Sequence, residues 1–187
     1  EIMDLIQALG CGYGENYDPS KLRYERVVIM TDADVDGAHI ASLLMTFFFR
    51  EMPQMVADGN LFLAMPPLYR ISQGDTVAYA RDEAHKDELL ESVFTGRGKI
   101  HISRFKGLGE MPPAQLKETT MNPDCRTLLK VVVPAGEELQ ASRKKKRTAK
   151  NKAGSTADLV ERLMGRKPEQ RLKFIQQNAE KVDYVDV

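Results

Sequence analysis

The sequence has 187 residues, of which 42% are hydrophobic. This length and composition allow one substantial domain with an appendage, or two small domains, and argue against a wholly disordered chain. The formal net charge is zero, yet residues 1–142 carry 14 Lys and Arg against 21 Asp and Glu, whereas residues 143–187 carry 13 against 6. An acidic body with a basic tail is typical of a protein that contacts a polyanion, although a solvated linker would show the same charges.

The cysteines and the apolar runs indicate a cytoplasmic protein without a membrane segment. Cys11 and Cys125 are the two cysteines, and neither belongs to a metal-type or redox-type pair, as expected in a reducing compartment. No apolar run approaches the roughly 18–20 residues that a membrane-spanning helix needs. The chain begins without Met and inside a predicted helix, which suggests a fragment of a longer protein.

The first third of the chain predicts helices around a buried strand. Helical spacing of apolar residues predicts a helix over 1–9, and the glycines of 10–14 are interpreted as its cap and turn instead of a phosphate loop. Residues 26–30 (RVVIM) predict a buried strand. From Gly37 a helix should follow, and Pro53 should bend it or begin a second one that reaches Ala57. The apolar stripe predicted on the longer helix comprises Ile40, Leu43, Leu44, Phe47 and Phe48.

The remaining elements continue an alternation of strands and helices. The predicted order is a strand at 61–65, a hairpin around residues 73–75, a helix at 82–94, a strand at 99–105, a helix from Pro112 or Pro113 to about Met121 and a strand at 127–133. This alternation favours an α/β fold with a largely parallel sheet. Beyond the basic stretch at 143–152, which we expect to be flexible, two short amphipathic helices are predicted at 156–165 and 167–179, with Ser155 or Thr156 as N-cap.

Three aspartates stand directly after the first predicted strand. In VVIMTDADVDGAHI (residues 27–40), Asp32, Asp34 and Asp36 occupy alternate positions. A strand that ends in a loop before a helix places that loop at the carboxyl edge of the sheet, where α/β folds bind ligands. Carboxylates this close repel one another unless a cation lies among them. Mg²⁺ is the expected cation, since it accepts few carboxylates together with waters and a substrate phosphate.

Three other interpretations of the aspartates compete. A calcium-binding EF-hand needs Glu at the twelfth loop position, where this chain has Leu43. An aspartyl-phosphate phosphatase would have Thr or Val where Asp36 stands. An acidic turn that caps the next helix is the third, and Asp36 beside Gly37 is the residue we expect to have that function.

Three longer stretches carry a resemblance to a known family. TDADVDGAHIASLLMTFFFREMP (31–53), LAMPPLY (63–69) and FKGLGEMPPAQLKETTMNP (105–123) closely resemble the B subunits of bacterial type IIA DNA topoisomerases. The resemblance implies a Rossmann-like TOPRIM domain over 1–133, a basic flexible linker over 134–155 and a helical tail over 156–187 that packs on the partner A subunit. Within the family, MPPLYR and GRKPEQRLKFIQ are more similar to the topoisomerase IV branch than to gyrase.

The resemblance also implies a metal site and DNA contacts. Asp32 and Asp34 would be catalytic ligands of one or two Mg²⁺ ions, and Asp36 a ligand through water or an outer contact. Lys106 and Gly107, in the KGLGEM loop, would face DNA phosphate near the cut. A surface turn is the alternative for Lys106.

Two further residues are candidate DNA contacts. The alternative to a DNA contact for His39 is a structural one, a partly buried histidine on a helix. The alternative for Arg104 is a solvated arginine at the end of a strand.

As a topoisomerase part, the chain would act within a heterotetramer of two A and two B subunits on double-stranded DNA, in the bacterial cytoplasm and at the nucleoid. A tyrosine of the A subunit would attack the DNA, and ATP would bind only in an upstream domain absent here. The expected activity is decatenation and relaxation, with gyrase-type supercoiling as the alternative. A different TOPRIM enzyme, such as a primase or nuclease, and a noncatalytic ion-binding module are more distant alternatives.

One family feature is missing from the sequence. The TOPRIM site of the family includes a glutamate in an upstream EGDSA-type motif, and no such motif occurs here. We therefore expect the isolated chain to lack the first strand and its Glu, to bind Mg²⁺ weakly and not to cleave DNA.

Overall fold

The computed structural model describes residues 1–32, 34–134 and 154–181 of the chain. The helices are α1 (Ile2–Leu9), α2 (Val35–Glu51), α3 (Pro53–Ala57), α4 (Glu83–Ser92), α5 (Pro113–Leu116), α6 (Thr156–Met164) and α7 (Pro168–Asn178). The strands are β1 (Val27–Ile29), β2 (Leu61–Ala64), β3 (Tyr69–Gln73), β4 (Thr76–Ala80), β5 (His101–Arg104) and β6 (Leu128–Lys130). Short 3₁₀ turns lie at Gly14–Asn16, Pro19–Lys21, Leu108–Glu110 and Ala179–Lys181, and a π-helical turn (Lys117–Met121) continues α5.

Two three-stranded sheets give the chain its α/β character, which confirms the predicted fold class. The first sheet has the order β1-β2-β6 and contains parallel strands. The second has the order β4-β3-β5 and is antiparallel, with Tyr69 opposite both Ala80 and Arg104. The β3–β4 hairpin predicted around residues 73–75 is confirmed, and Gly74 supplies its positive φ of 58°.

Contacts between Cα atoms divide the chain into two compact units, each with its own buried residues. The first comprises residues 1–27 and 42–61 together with the described residues from 130 onward. Its buried side chains include Phe48, Met52, Met55 and Leu61. Arg50, at the end of α2, pairs with Glu161 of α6 in this unit.

The second unit comprises residues 28–41 and 62–129. Its main apolar cluster consists of Tyr69, Ile71, Ala80 and Phe94, against which α4 packs through Leu89 and Leu90. The side chain of Asp82 caps α4 by accepting the amide of His85 at 2.8 Å. This cluster anchors β3 and β4, and with them the strand that leads into the KGLGEM loop.

Two expectations about burial are wrong. The sequence predicts a buried strand at 26–30, yet Val28 and Met30 are 38% and 39% exposed. The reason is that Val28 and Met30 alternate with Ile29, so their side chains point away from the face of the sheet on which Ile29 is buried. The apolar stripe of α2 is also shorter than predicted, because Ile40 and Leu43 are 50% and 48% exposed.

The two tail helices lie within one residue of their predicted bounds at each end. Ser155 caps α6 by accepting the amide of Asp158 at 3.2 Å. Arg171 of α7 donates to the carbonyls of Leu163 at 2.6 Å and Gly165 at 3.3 Å, which fixes the turn between the two helices.

The predicted basic linker falls almost wholly outside the described residues. No helix in the described ranges has the length and apolarity needed to cross a membrane.

Candidate metal centre

The three predicted ligands lie between the end of β1 and the first turn of α2. Asp32 follows β1 by three residues, Asp34 stands immediately before α2, and Asp36 is its second residue. All three side chains are exposed. The local sequence explains this placement, since a short β-branched strand gives way to a helix whose first turn is acidic, which the helix dipole favours.

Asp34 is the residue that caps α2. Its Oδ1 accepts the backbone amide of Gly37 at 2.7 Å, three residues along the chain, as an N-cap carboxylate does. The sequence predicts the cap at Asp36, which instead lies inside the first turn of α2. Capping therefore uses one oxygen of Asp34 and leaves the other for a second function.

Asp32 contacts the KGLGEM loop, which lies 76 residues further along the chain. Its Oδ1 accepts the backbone amide of Leu108 at 2.7 Å. The bond joins the first predicted ligand to the loop that holds the predicted DNA-binding residues Lys106 and Gly107. The structure thus brings together two motifs whose proximity no local pattern in the sequence indicates.

Two glycines lie close to Asp32, where a Cβ would collide with its backbone or crowd its side chain. A Cβ at Gly37 would lie 2.1 Å from the carbonyl oxygen of Asp32, and a Cβ at Gly107 would lie 3.0 Å from its Cγ and Oδ1. Gly107 is extended (φ −158°), so close approach and not backbone strain requires glycine there. A Cβ at Gly109, in the same loop, would have no neighbouring atom within 4 Å. Asp32 therefore contacts α2 with its backbone and the loop with its carboxylate, while its side chain stays exposed.

The loop is closed by a residue that the sequence interpretation did not assign. The carboxylate of Glu110 accepts the backbone amide of Lys106 at 2.8 Å, while the side chain of Lys106 is exposed. The available signal was the spacing, because a Glu a few residues after a loop begins can turn back to a free backbone amide, as in a capping box.

The other predicted DNA contacts lie on different elements. His39 is exposed on α2, three residues after Asp36 and so on the same face of the helix. This exposure argues against the partly buried alternative for His39. Arg104 is exposed at the end of β5 and acts electrostatically on Tyr69 and Glu83.

A polar cluster that the sequence did not predict surrounds Tyr69, in the LAMPPLY motif. Its hydroxyl donates to Glu83, which also pairs with Lys86, and the ammonium of Lys86 lies 5.3 Å from the centre of the Tyr69 ring. The bond to Glu83 raises the pKa of Tyr69, and the bonds from Lys86 and Tyr69 lower the pKa of Glu83. This cluster joins β3 to α4 and gives Arg104 an anionic neighbour.

The donor set suits a hard cation held by two carboxylates. The described hydrogen bonds of Asp32 and Asp34 each use Oδ1, so both residues keep Oδ2 for a ligand. Within residues 1–32, 34–134 and 154–181, no three His, Cys, Asp or Glu side chains form a group that could hold a metal. One or two carboxylates with waters and a phosphate are the usual environment of Mg²⁺, whereas Ca²⁺ takes more protein oxygens. The carboxylate type of these residues suits Mg²⁺, and ligation of the ion by Asp32, Asp34 and Asp36 stays a prediction.

Two family models match separate regions of the chain. Residues 1–65 match the Toprim domain, and residues 97–176 match the carboxyl terminus of the DNA gyrase B subunit. This pair of domains defines the class: the chain carries the Toprim and carboxyl-terminal regions of a type IIA DNA topoisomerase B subunit.

Relatives of known name are similar over nearly all of the chain. It is 56% identical to the DNA topoisomerase 4 B subunit of Bartonella bacilliformis over 186 residues, and 57% identical to that of Caulobacter vibrioides over 180 residues. These alignments cover 100% and 96% of the chain. The DNA gyrase B subunit of Clostridium acetobutylicum is 42% identical over 187 residues, the whole of the chain. The chain spans about a quarter of each relative (25%, 24% and 27%).

Proposed function

We propose that this chain is the magnesium-binding part of a topoisomerase IV B subunit, which assists double-strand DNA cleavage and religation during ATP-dependent strand passage. The observation that carries the proposal is the pair Asp32 and Asp34, each with one oxygen fixed by a backbone amide, at the carboxyl end of β1 in a chain with Toprim relatives. By this proposal the TOPRIM domain extends over 1–133, beyond the 65 residues that match its family.

Asp32 and Asp34 would hold one or two Mg²⁺ ions through their Oδ2 atoms, and Asp36 would contact a metal-bound water. When bound, Mg²⁺ supplies Lewis-acid stabilisation of charge on the cleaved phosphate. The chain's own contribution is orientation, because the amides of Leu108 and Gly37 each hold one carboxylate in place. Loss of an outer partner of a metal ligand typically costs about 10–100-fold in metal affinity or activity, and loss of the ligand itself should cost at least as much.

The charged groups around the aspartates would bind the DNA backbone. The exposed side chain of Lys106 and the glycine backbone at Gly107 would approach phosphate from the loop, and His39 would do so from α2. Arg104 would add charge from the end of β5. Phosphate contacts of this kind position the duplex without reading its sequence and weaken with salt.

The remaining parts of the reaction belong to other polypeptide regions. The nucleophilic tyrosine would come from an A subunit in a heterotetramer of two A and two B subunits, and residues 156–187 would pack on that A subunit. ATP would bind upstream of this region. The enzyme would act on DNA in the bacterial cytoplasm.

The test uses the full-length protein assembled with its A subunit. Asp34→Ala and Asp32→Ala should each reduce Mg²⁺-dependent cleavage of DNA by about 10–100-fold or more. Glu91→Ala, on the exposed side of α4, is the control and should cleave normally. Near-normal strand passage by Asp34→Ala would disprove the metal-site proposal.

Gyrase remains the second candidate, since the gyrase relative is also similar over the whole chain. The higher identity to the topoisomerase IV relatives favours that enzyme. Reconstitution with each type of A subunit decides between them. Decatenation without negative supercoiling is expected, and ATP-dependent negative supercoiling would identify gyrase.

A further inference from the structure

We propose that Glu110 is a positioning residue for Asp32, acting through the backbone of residues 105–111, which we call the holding loop. The inference rests on the proposed function, since it concerns the orientation of a metal-binding carboxylate. Three observations carry it: the ends of the loop are anchored, Glu110 closes the loop, and the closed loop donates to Asp32.

The ends of the holding loop are fixed in the second unit. Phe105 and Met111 are 8% and 6% exposed, so both ends of the loop are buried. The amide of Phe105 also donates to the carbonyl of Leu68 at 2.8 Å, next to β3. The five residues between these anchors are partly or fully exposed, and their conformation depends on bonds within the loop.

Glu110 makes the side-chain bond that closes the loop. Its carboxylate accepts the amide of Lys106 at 2.8 Å, and its own amide donates to the carbonyl of Gly107 at 3.2 Å. A third bond joins the amide of Met111 to the carbonyl of Leu108 at 3.2 Å. The two backbone bonds form a single 3₁₀ turn, which is weak alone. The carboxylate therefore ties the start of the loop to its end.

The closed loop presents one amide to Asp32. Leu108 donates to Oδ1 at 2.7 Å, and Gly107 lies against the same carboxylate without a Cβ to separate them. A hydrogen bond from a backbone amide to Oδ1 limits the rotation of the carboxylate. It thereby fixes the direction in which Oδ2 points. If the loop opened, Asp32 would rotate freely and lose the orientation that a metal ligand needs.

A substitution at position 110 can distinguish positioning of Asp32 from direct metal binding by Glu110. A glutamine at position 110 retains an oxygen that can accept the Lys106 amide, but an amide oxygen is a much poorer ligand for Mg²⁺ than a carboxylate. Positioning therefore predicts that glutamine rescues the site, whereas ligation predicts that it does not.

The experiment measures hydrogen exchange of the Leu108 amide in the full-length protein without metal, by mass spectrometry of peptides that cover residues 105–111. We expect Glu110→Ala to raise this exchange about three- to tenfold, as loss of one hydrogen bond allows, and Glu110→Gln to restore most of the protection. Gly109→Ala, in the same loop and free of steric contact, is the matched control and should exchange like the parent protein. With the A subunit and DNA, Glu110→Ala should raise the Mg²⁺ concentration for half-maximal cleavage about threefold or more, and Glu110→Gln should not.

Unchanged exchange in Glu110→Ala would overturn the inference, as would a Glu110→Gln protein as defective as Glu110→Ala at equal thermal stability. These outcomes are independent of the proposed metal role, because exchange is measured without metal. If Asp32→Ala cleaved DNA normally while Glu110→Ala still exposed the Leu108 amide, the proposed function would fail and Glu110 would remain the residue that holds Asp32.

Discussion

At the scale of single residues, the carboxylate of Asp34 caps a helix and is also a proposed metal ligand. Oδ1 caps α2 through the amide of Gly37, and Oδ2 is left for the proposed metal. Asparagine caps a helix about as well as aspartate, but it lacks the charge that a divalent ion needs. The two functions can therefore be separated by the choice of substitution.

Asp34→Asn and Asp34→Ala should both lose Mg²⁺-dependent cleavage, but only alanine should destabilise the fold. Loss of the cap costs about 1 kcal/mol, so Asp34→Ala should melt at a lower temperature than Asp34→Asn. Calorimetry of the full-length protein without metal measures this difference. Equal melting temperatures for the two variants would show that the Asp34–Gly37 bond does not stabilise α2.

Tyr17 has a buried hydroxyl for which the described part of the chain offers no hydrogen-bond partner. Burial is the largest cause that raises its pKa to about 12, and Cys11, Asp58 and Asp18 add to it. An unfolded tyrosine loses its proton near pH 10. The folded state therefore binds this proton more tightly, and its contribution to stability is complete below about pH 10 and is lost as the pH rises towards 12.

Tyr17→Phe should be as stable as the parent at pH 7, or more stable by up to about 1 kcal/mol, because it removes an unpaired buried hydroxyl. It should also lose less stability than the parent between pH 10 and 12. Urea unfolding across this pH range is the measurement, and Tyr24→Phe, which changes an exposed tyrosine, should follow the parent curve. A Tyr17→Phe curve parallel to the parent would contradict the prediction.

At the scale of elements, the start of α2 and the holding loop meet at Asp32 because each has a glycine at the point of contact. At Gly37 the obstacle is the backbone oxygen of Asp32, which cannot move aside as a flexible side chain can. The α2 contact is thus the stricter of the two, since a Cβ there would lie at 2.1 Å instead of 3.0 Å.

Gly37→Ala should therefore cost about 1–3 kcal/mol, as overpacking does, whereas Gly109→Ala should change stability by less than about 0.5 kcal/mol. Chemical unfolding of the full-length protein compares the two. If Gly37→Ala were as stable as Gly109→Ala, the close packing of α2 on Asp32 would be wrong.

The elements also show what the sequence could predict. The hairpin, the break at Pro53 and the cap at Ser155 follow from local rules, and the structure confirms each of them. The exposure of Val28 could not be predicted in this way, because it depends on which face of the sheet other elements cover. The contact of Asp32 with Leu108 and the role of Glu110 depend on long-range packing, which neither periodicity nor spacing encodes.

At the scale of the whole molecule, the charges divide into an acidic region over 1–142 and a basic one over 143–187. Residues 143–147 are five consecutive cations, and they lie outside the described part of the chain. DNA is repelled by the first region and attracted by the second, so the basic stretch is expected to offset the repulsion.

Replacing residues 143–147 with glutamine should weaken both the DNA binding of the full-length protein and its salt dependence. Each lost phosphate contact removes about 0.9 from the slope of log K against log salt, so a decrease of about 2–4 is expected if most of these cations touch DNA. Binding titrations at several salt concentrations measure the slope. The same slope in parent and variant would identify the stretch as a linker only.

The bond between Asp32 and Leu108 has a consequence for biosynthesis. The two residues are 76 positions apart in the chain, and a ribosome adds roughly 5–20 residues per second. Asp32 therefore leaves the ribosome about 4–15 s before the amide that holds it. During that interval the three aspartates repel one another and the holding loop is not yet present. The nascent chain therefore passes through a state in which the carboxylate of Asp32 has no hydrogen bond from Leu108.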